Sequence, residues 1–364
     1  MDEWDVVIAG AGPAGSLAAY CLARKGARVL LVDETRKTSP TIGDSLPGAA
    51  RPLLRDLGLL SILTEGGHLS STGTTSAWGG EQTVTSDTLL DPHGAGWRLN
   101  RNRFDADLEA AALHAGAHRR TARVIGAARN DGTWKIELTE GTATAKWLID
   151  ATGRRASVAR RLGAQRHRDA PLMAVCVWLA SNGAQATEVD HEQRAFVEAV
   201  PEGWWYAARL PGNIRTVLFH TDPVHTVSPL DAVKWQTAVA RTNHIQRFVS
   251  GAQPVEPLRG TEACGAWTEP YMGDGWLTAG DAAMSFDPIS SQGIFNALYT
   301  GMAAANAVET SLGGSTTAGA EYTDRLRSIR QAYLRHRHSY YAAESRWPDQ
   351  PFWRTQHDCD PMQK

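Results

Sequence analysis

Residues 5–33 read DVVIAGAGPAGSLAAYCLARKGARVLLVD, and this stretch decides the fold. A short apolar run (5–9) leads into the glycine loop 10–15. Small and apolar residues at helical spacing follow, ending at Gly26, and a second apolar run closes on Asp33. Strand, G-x-G-x-x-G, helix, strand and an acid about twenty residues on is the dinucleotide fingerprint in its required setting. Gly10 permits the tight turn, Gly12 lets backbone approach a pyrophosphate, and Gly15 lets helix and strand close up. Pro13 and Ala14 start a helix whose unpaired N–H groups and positive dipole face the phosphates. Asp33 is placed to accept from ribose hydroxyls, which disfavours a 2′-phosphate there.

Composition narrows the class. The 364 residues allow two domains or one composite fold, and 42% hydrophobic with 21% charged residues is an ordinary globular balance. A net charge of −2 provides no global field for nucleic acid or acidic membrane. The densest basic run, Arg98, Arg101, Arg103, Arg119, Arg120 and Arg123, reads mostly as solvated surface. Cys21, Cys176, Cys264 and Cys359 are scattered without CxxC pairing, which points to no zinc site, no disulfide framework and a reducing compartment. An acidic start that runs straight into a strand, with no long apolar run, leads us to expect a cytoplasmic protein without a signal peptide or membrane span.

Along the chain, helices are expected over 49–57, 101–116 and 231–249, with a long basic-aromatic helix over 322–346. A hairpin turns at 130–132, and residues 171–267 alternate as antiparallel strands. Residues 277–301, LTAGDAAMSFDPISSQGIFNALYTG, return to strand, hinge and helix. The expected architecture is α/β (α+β overall). A Rossmann-like FAD-binding domain from 1–72, 99–168 and 268–320 is interleaved with an antiparallel β-sheet substrate domain from 73–98 and 169–267. A C-terminal helical segment covers 321–364, and the last strand is expected beside the first.

GAGPAG with Asp33, Arg101 in RNRFD, DATGRRA at 150–156 and GDAAMSFDPISSQGI at 280–294 together resemble the FAD-dependent monooxygenase superfamily of para-hydroxybenzoate hydroxylase type. Within it the chain is similar to flavin-dependent tryptophan halogenases, geranylgeranyl reductases and the flavoproteins that modify tryptophan during tryptophylquinone cofactor assembly. GDSLP, SAWGG, DPHGAGW, EGWWYAARLP and ESRWPDQPFW carry the last likeness. The resemblance implies FAD held by the Gly10–Gly15 loop, Asp33, Arg101, Gly280 and Asp281. It implies a 288–294 loop passing the flavin ring, through Pro288, Gly293 and Ile294. A helix opened by Gly293 would stabilise anionic reduced flavin. DATG stands where single-component hydroxylases carry a DG motif that serves both FAD and NAD(P)H. The reductant is therefore NAD(P)H directly or a separate flavin reductase acting as electron-donor partner.

Tryptophan halogenases need a lysine about thirty residues after their GES-like motif and a glutamate two positions after the loop proline. Here no lysine lies between Lys37 and Lys135, position 290 is serine, and Asp44 replaces the usual glutamate of GES. The expectation is a monooxygenase that hydroxylates an aromatic substrate through a flavin C4a-hydroperoxide, a small molecule or a tryptophan of a peptide or protein. A reductase without oxygen activation, a halogenase-like enzyme and a non-catalytic partner-binding flavoprotein are the alternatives. Ser290, Ser291 and Asp44 are the candidate catalytic residues. Trp78, His93, Trp204, Trp205 and Tyr206 are the candidate pocket wall, each weighed against plain core packing, as His220 is. No metal and no nucleic acid is expected.

Overall fold

The computed structural model describes residues 3–34, 40–88, 91–180, 192–223 and 231–358. The nucleotide-binding half is built on β1 (Glu3–Ala9), α1 (Pro13–Arg24), β2 (Val29–Asp33), α2 (Arg101–His114), β3 (His118–Thr121) and β4 (Thr142–Asp150). Val6 to Ala9 and Val29 to Val32 are all but fully buried, as apolar runs covered on both faces of a parallel sheet must be. β1 pairs in parallel with β2 on one side and with β4 on the other, and β2 pairs with β3. The hairpin turning at 130–132 extends the sheet beyond β4.

A second sheet stands against this body. Its main strands are β5 (Met173–Ala180), β6 (Ala195–Val200), β7 (Gly203–Leu210) and β8 (Ile214–Thr221), antiparallel in the order β5-β8-β7-β6, with Gly73–Ala77 added beside β6. Because side chains alternate across a strand, its two faces carry different cores. Val177, Phe196, Trp205 and Phe219 form the outer face, under the helix Ala232–Ala240. Cys176, Trp178, Trp204 and Leu218 form the inner face. The helix expected over 231–249 is cut in two, with a 3-10 turn at Ile245–Phe248. Buried Glu198 accepts from the backbone N–H groups of Asn243, His244 and Ile245, and Thr242 caps Gln246, so tertiary hydrogen bonds replace the helical ones there.

The chain then returns through β9 (Trp276–Thr278), α3 (Gly293–Leu312), α4 (Ala318–Ala342) and α5 (Pro351–His357). β9 pairs with β4 and not with β1, so the last strand returns one position further out than expected. α3 crosses α1 closely: a Cβ on Gly301 would lie 2.3 Å from the Ala14 carbonyl oxygen, so a small residue is required. Tyr341 of α4 with Phe352 and Trp353 of α5 packs onto the inner face of the second sheet. Strands Ser45–Leu46 and Leu69–Ser71 flank Gly96–Arg98 in a small sheet between the two halves. Among the described residues, no helix is long and apolar enough to cross a membrane.

Candidate active site

The three glycines of the first loop have different reasons to be glycine. Gly10 has φ +104°, and a Cβ there would sit 2.2 Å from the Ala151 carbonyl oxygen. A Cβ on Gly15 would fall 1.8 Å from the Gly10 carbonyl oxygen. Gly12 is in ordinary extended backbone (φ −75°, ψ −176°), and a Cβ there would meet nothing within 4 Å. Nothing in the protein forbids a side chain at Gly12; the open space over the α1 N-terminus does, if a pyrophosphate lies in it. Pro13 stands at the first turn of α1, and Ala14 packs against Gly280 and Gly301. Asp33 takes the Ala11 N–H at 2.6 Å and the Glu34 N–H at 2.7 Å on separate oxygens, and each oxygen keeps a lone pair for a ribose hydroxyl. This cradle fits the dinucleotide part of FAD.

Gly280 has φ +61°, and its N–H donates to Thr300 Oγ1 at 2.8 Å. Asp281 stays about a third exposed, with Arg154 Nε 3.9 Å away. Two arginines that the sequence reading did not single out brace this stretch. Arg154 donates to the carbonyls of Cys264 (2.8 Å) and Phe286 (3.2 Å), tying the turn after β4 to the second sheet. Arg166 donates to the Asp281 carbonyl (2.8 Å), the Ala282 carbonyl, Thr268 Oγ1 and Ser285 Oγ, and burial draws its pKa down to about 10. Asp150 of DATG is buried and accepts from the N–H groups of Thr152, Val158 and Ala159, so it holds the turn and caps the short helix that follows. Arg101 holds the 42–43 loop, through the carbonyls of Ile42 and Gly43, and pairs with Asp105.

The second loop is shaped by Asp287. One carboxylate oxygen accepts the Ile289 N–H at 3.0 Å; the other takes the Tyr341 hydroxyl at 2.9 Å and faces Arg337 Nε at 3.4 Å. Arg337 also binds Gln356 of α5, so the loop is locked to both C-terminal helices. A second buried pair, Arg330 with Asp169, ties α4 to the connection between the strand Gln165–Arg168 and β5. Pro288 starts a 3-10 turn, and Ser290 Oγ donates to the Asp287 carbonyl at 2.8 Å. Ser291 is exposed at φ +51°, Gly293 opens α3 with open space where a Cβ would be, and Ile294 is buried in the core. Beside this loop, between α3 and α4, lies a cavity of about 410 Å³. Ser290, Gln292, Phe295, Tyr299, Ile329 and Tyr340 line it.

The aromatic candidates go elsewhere. Trp204 and Trp205 point to opposite faces of β7, so they cannot share one wall. Trp205 is stacked on Phe219 at 4.4 Å. Trp204 is stacked on His220 at 3.6 Å and donates to the Tyr341 hydroxyl at 3.2 Å. Half-buried Trp78 meets Trp204, Tyr341 and Trp353 edge-on. His93 is exposed on a turn, its N–H donating to Asp91. Tyr206 donates to Asp44 Oδ1 at 2.9 Å, at the junction of the two halves. Burial raises the Asp44 pKa against the pull of Arg98, the Tyr206 hydrogen bond and Arg101. His220 is buried, neither ring nitrogen makes a well-formed hydrogen bond, and desolvation pushes its pKa down to about 3 against the help of the Trp204 backbone. Arg98, expected with its neighbours on the solvated surface, is only 4% exposed. A basic run seen in one dimension does not show that Gly96–Arg98 is the central strand of a buried three-stranded sheet.

A family model described as an FAD binding domain matches residues 3–335. A putative FAD-dependent oxidoreductase, LodB of Marinomonas mediterranea, is 28% identical over 376 residues, covering 100% of this chain and 99% of that one. Two solved structures share the fold. The myxobacterial chondrochloren halogenase CndH has a TM-score of 0.88 at 23% identity, covering 98% of this chain and 86% of that one. The peptidyl tryptophan dihydroxylase QhpG has a TM-score of 0.80 at 23% identity, covering 100% and 80%. With the nucleotide cradle at Gly12 and a family match over nearly its whole length, the chain belongs to the FAD binding domain family and is an FAD-dependent oxidoreductase.

Proposed function

We propose that this enzyme is a monooxygenase that hydroxylates an aromatic ring, carried by a small molecule or by a tryptophan of a peptide or protein. Bound FAD, once reduced by NAD(P)H or by a separate reductase, supplies two electrons and activates dioxygen. The chain's own residues have three tasks. Gly12, Asp33 and Asp281 hold the cofactor; the Asp287 network fixes the 288–294 loop; and the aromatic cavity beside Ser290 seats the ring. Ser290 Oγ, anchored on the Asp287 carbonyl, is within that cavity's lining and can hydrogen-bond to a substrate or oxygen atom.

The observation that carries the reading is an aromatic cavity at the 288–294 loop with no lysine among the described residues that line it. Among the described residues, Lys25 pairs with Glu309 on the last turns of α3, and Lys146 pairs with Asp5 in β1. Lys135 and Lys234 are exposed on the 130–132 hairpin and the outer helix. None of these four described lysines serves lysine-dependent halogenation at this cavity, whereas hydroxylation asks mainly for positioning of the ring. The test is to reduce FAD-loaded enzyme without air, then add oxygen, bromide and a tryptophan-containing peptide or a free indole, and weigh the product. Gain of one or two oxygen atoms is expected; a brominated product, or oxygen consumption that never marks any aromatic, would overturn the proposal.

A further inference from the structure

Arg98 is a buried cation whose hydrogen bonding is incomplete. It ends the strand Gly96–Arg98, opposite Ser45 on one neighbouring strand and Leu69 on the other. Trp97 turns to the far face, where Arg51 lies 4.4 Å over its ring. Arg98 faces the other way, toward Asp44 and the ring of Tyr206, 5.9 Å off. Its Nε is fully buried with no hydrogen-bond partner. Buried donors are usually hydrogen-bonded, so this one calls for a partner that completes it.

The surroundings favour an anion. Asp44 already accepts the Tyr206 hydroxyl, and a second cation, Arg101, also acts on it. Cys176 of β5 lies within electrostatic reach of Asp44, and Arg259 faces Cys176 in turn. The cluster borders the inner face of the second sheet, where Ile42 and Tyr206 pack with Ile289 of the flavin loop. A guanidinium fork matches the two oxygens of a carboxylate, which a spherical halide cannot do. We propose that Arg98, backed by Asp44 and Tyr206, forms a subsite for the carboxylate of a bound ligand. The proposal concerns binding and stands apart from the hydroxylation reading.

A consequence follows from charge. A carboxylate arriving beside Asp44 adds a second buried negative charge, and burial already favours the protonated form of Asp44. Burial pushes the Cys176 thiol up to about 12 and raises the Tyr206 hydroxyl further, so both keep their protons. Asp44 is the group left to take a proton as the ligand binds. Affinity then falls as pH rises between the free and the ligand-bound pKa of Asp44.

The test is titration of the FAD-loaded full chain with benzoate from about pH 6 to about pH 8, followed by flavin absorbance and tryptophan fluorescence. Binding that weakens as pH rises is expected. Arg98→Met should weaken it about 10- to 150-fold, Arg98→Lys should weaken it less, and Asp44→Asn should flatten the pH profile. If Arg98→Met fails to fold, the wild-type and Asp44→Asn profiles decide. Absent benzoate binding, binding unchanged in Arg98→Met, a pH profile that survives Asp44→Asn, or a response to bromide but not benzoate would each overturn the subsite.

Discussion

Replacing Gly12 and Gly15 by alanine separates the cofactor cradle from the fold that carries it. At Gly15 the new methyl would lie 1.8 Å from the Gly10 carbonyl oxygen, which is backbone and cannot step aside. Relief requires α1 to move off β1, at about 3 kcal/mol or more. At Gly12 the methyl meets no protein atom, and φ −75° suits any residue. Alanine gains about 0.4–1 kcal/mol by stiffening the unfolded chain and gives back a few tenths at a helix N-cap. Apo stability should therefore stay within about 1 kcal/mol of wild type. The same methyl fills the space over the α1 N-terminus and displaces a phosphate from the N–H groups there. Losing one charge-assisted hydrogen bond costs about 1.5–3 kcal/mol, or about 10- to 150-fold in FAD affinity. Urea unfolding of both apo variants and FAD titration by quenching of flavin fluorescence measure the two effects separately. If Gly12→Ala binds FAD like wild type, or loses more stability than Gly15→Ala, the cradle is misplaced.

Three further outcomes are expected. The purified protein should be yellow, and Asp281→Ala should lower FAD affinity about 10- to 100-fold; a colourless protein that takes up no added FAD would refute the site. His220 has a folded pKa of about 3, below its ordinary 6.5, so the unfolded chain binds more protons and stability is lost as pH falls below 6.5. That amounts to about 2 kcal/mol by pH 5, at 1.36 kcal/mol per unit, and His220→Gln should remove this slope in denaturant unfolding; an equal slope in both proteins would sink the argument. Arg154→Met frees the carbonyls of Cys264 and Phe286 and leaves Asp281 without its nearest cation, so unfolding free energy should drop by about 1.5–3 kcal/mol, reduced by the side chain's partial exposure; an unchanged urea midpoint would count against the clamp.

The residues from Asp5 to Asp33 determine the parallel core and a dinucleotide site on their own, while FAD rather than NAD is read from the later segments. A buried parallel strand must be apolar on both faces, and a helix can approach a pyrophosphate only through glycine, so both needs are written as residue types at fixed spacing. The 280–294 stretch is legible for the same reason, since Gly280, Pro288 and Gly293 mark backbone turns. The second sheet was legible as alternation, but not which of its faces would be wet, covered or catalytic. Trp204 and Trp205 are adjacent letters on opposite sides of a strand, and what covers each side comes from α4, α5 and the outer helix, over a hundred or about thirty residues away. Arg98, Arg154 and Arg166 look like any other basic residues in one dimension. Only folding shows that Arg98 is buried and which oxygens Arg154 and Arg166 reach, because a guanidinium's surroundings depend on which strands close around it. The cavity beside Ser290 likewise arises where α4 lies across the first turns of α3, with α4 also held to the 288–294 loop through Arg337–Asp287, contacts between segments far apart in sequence.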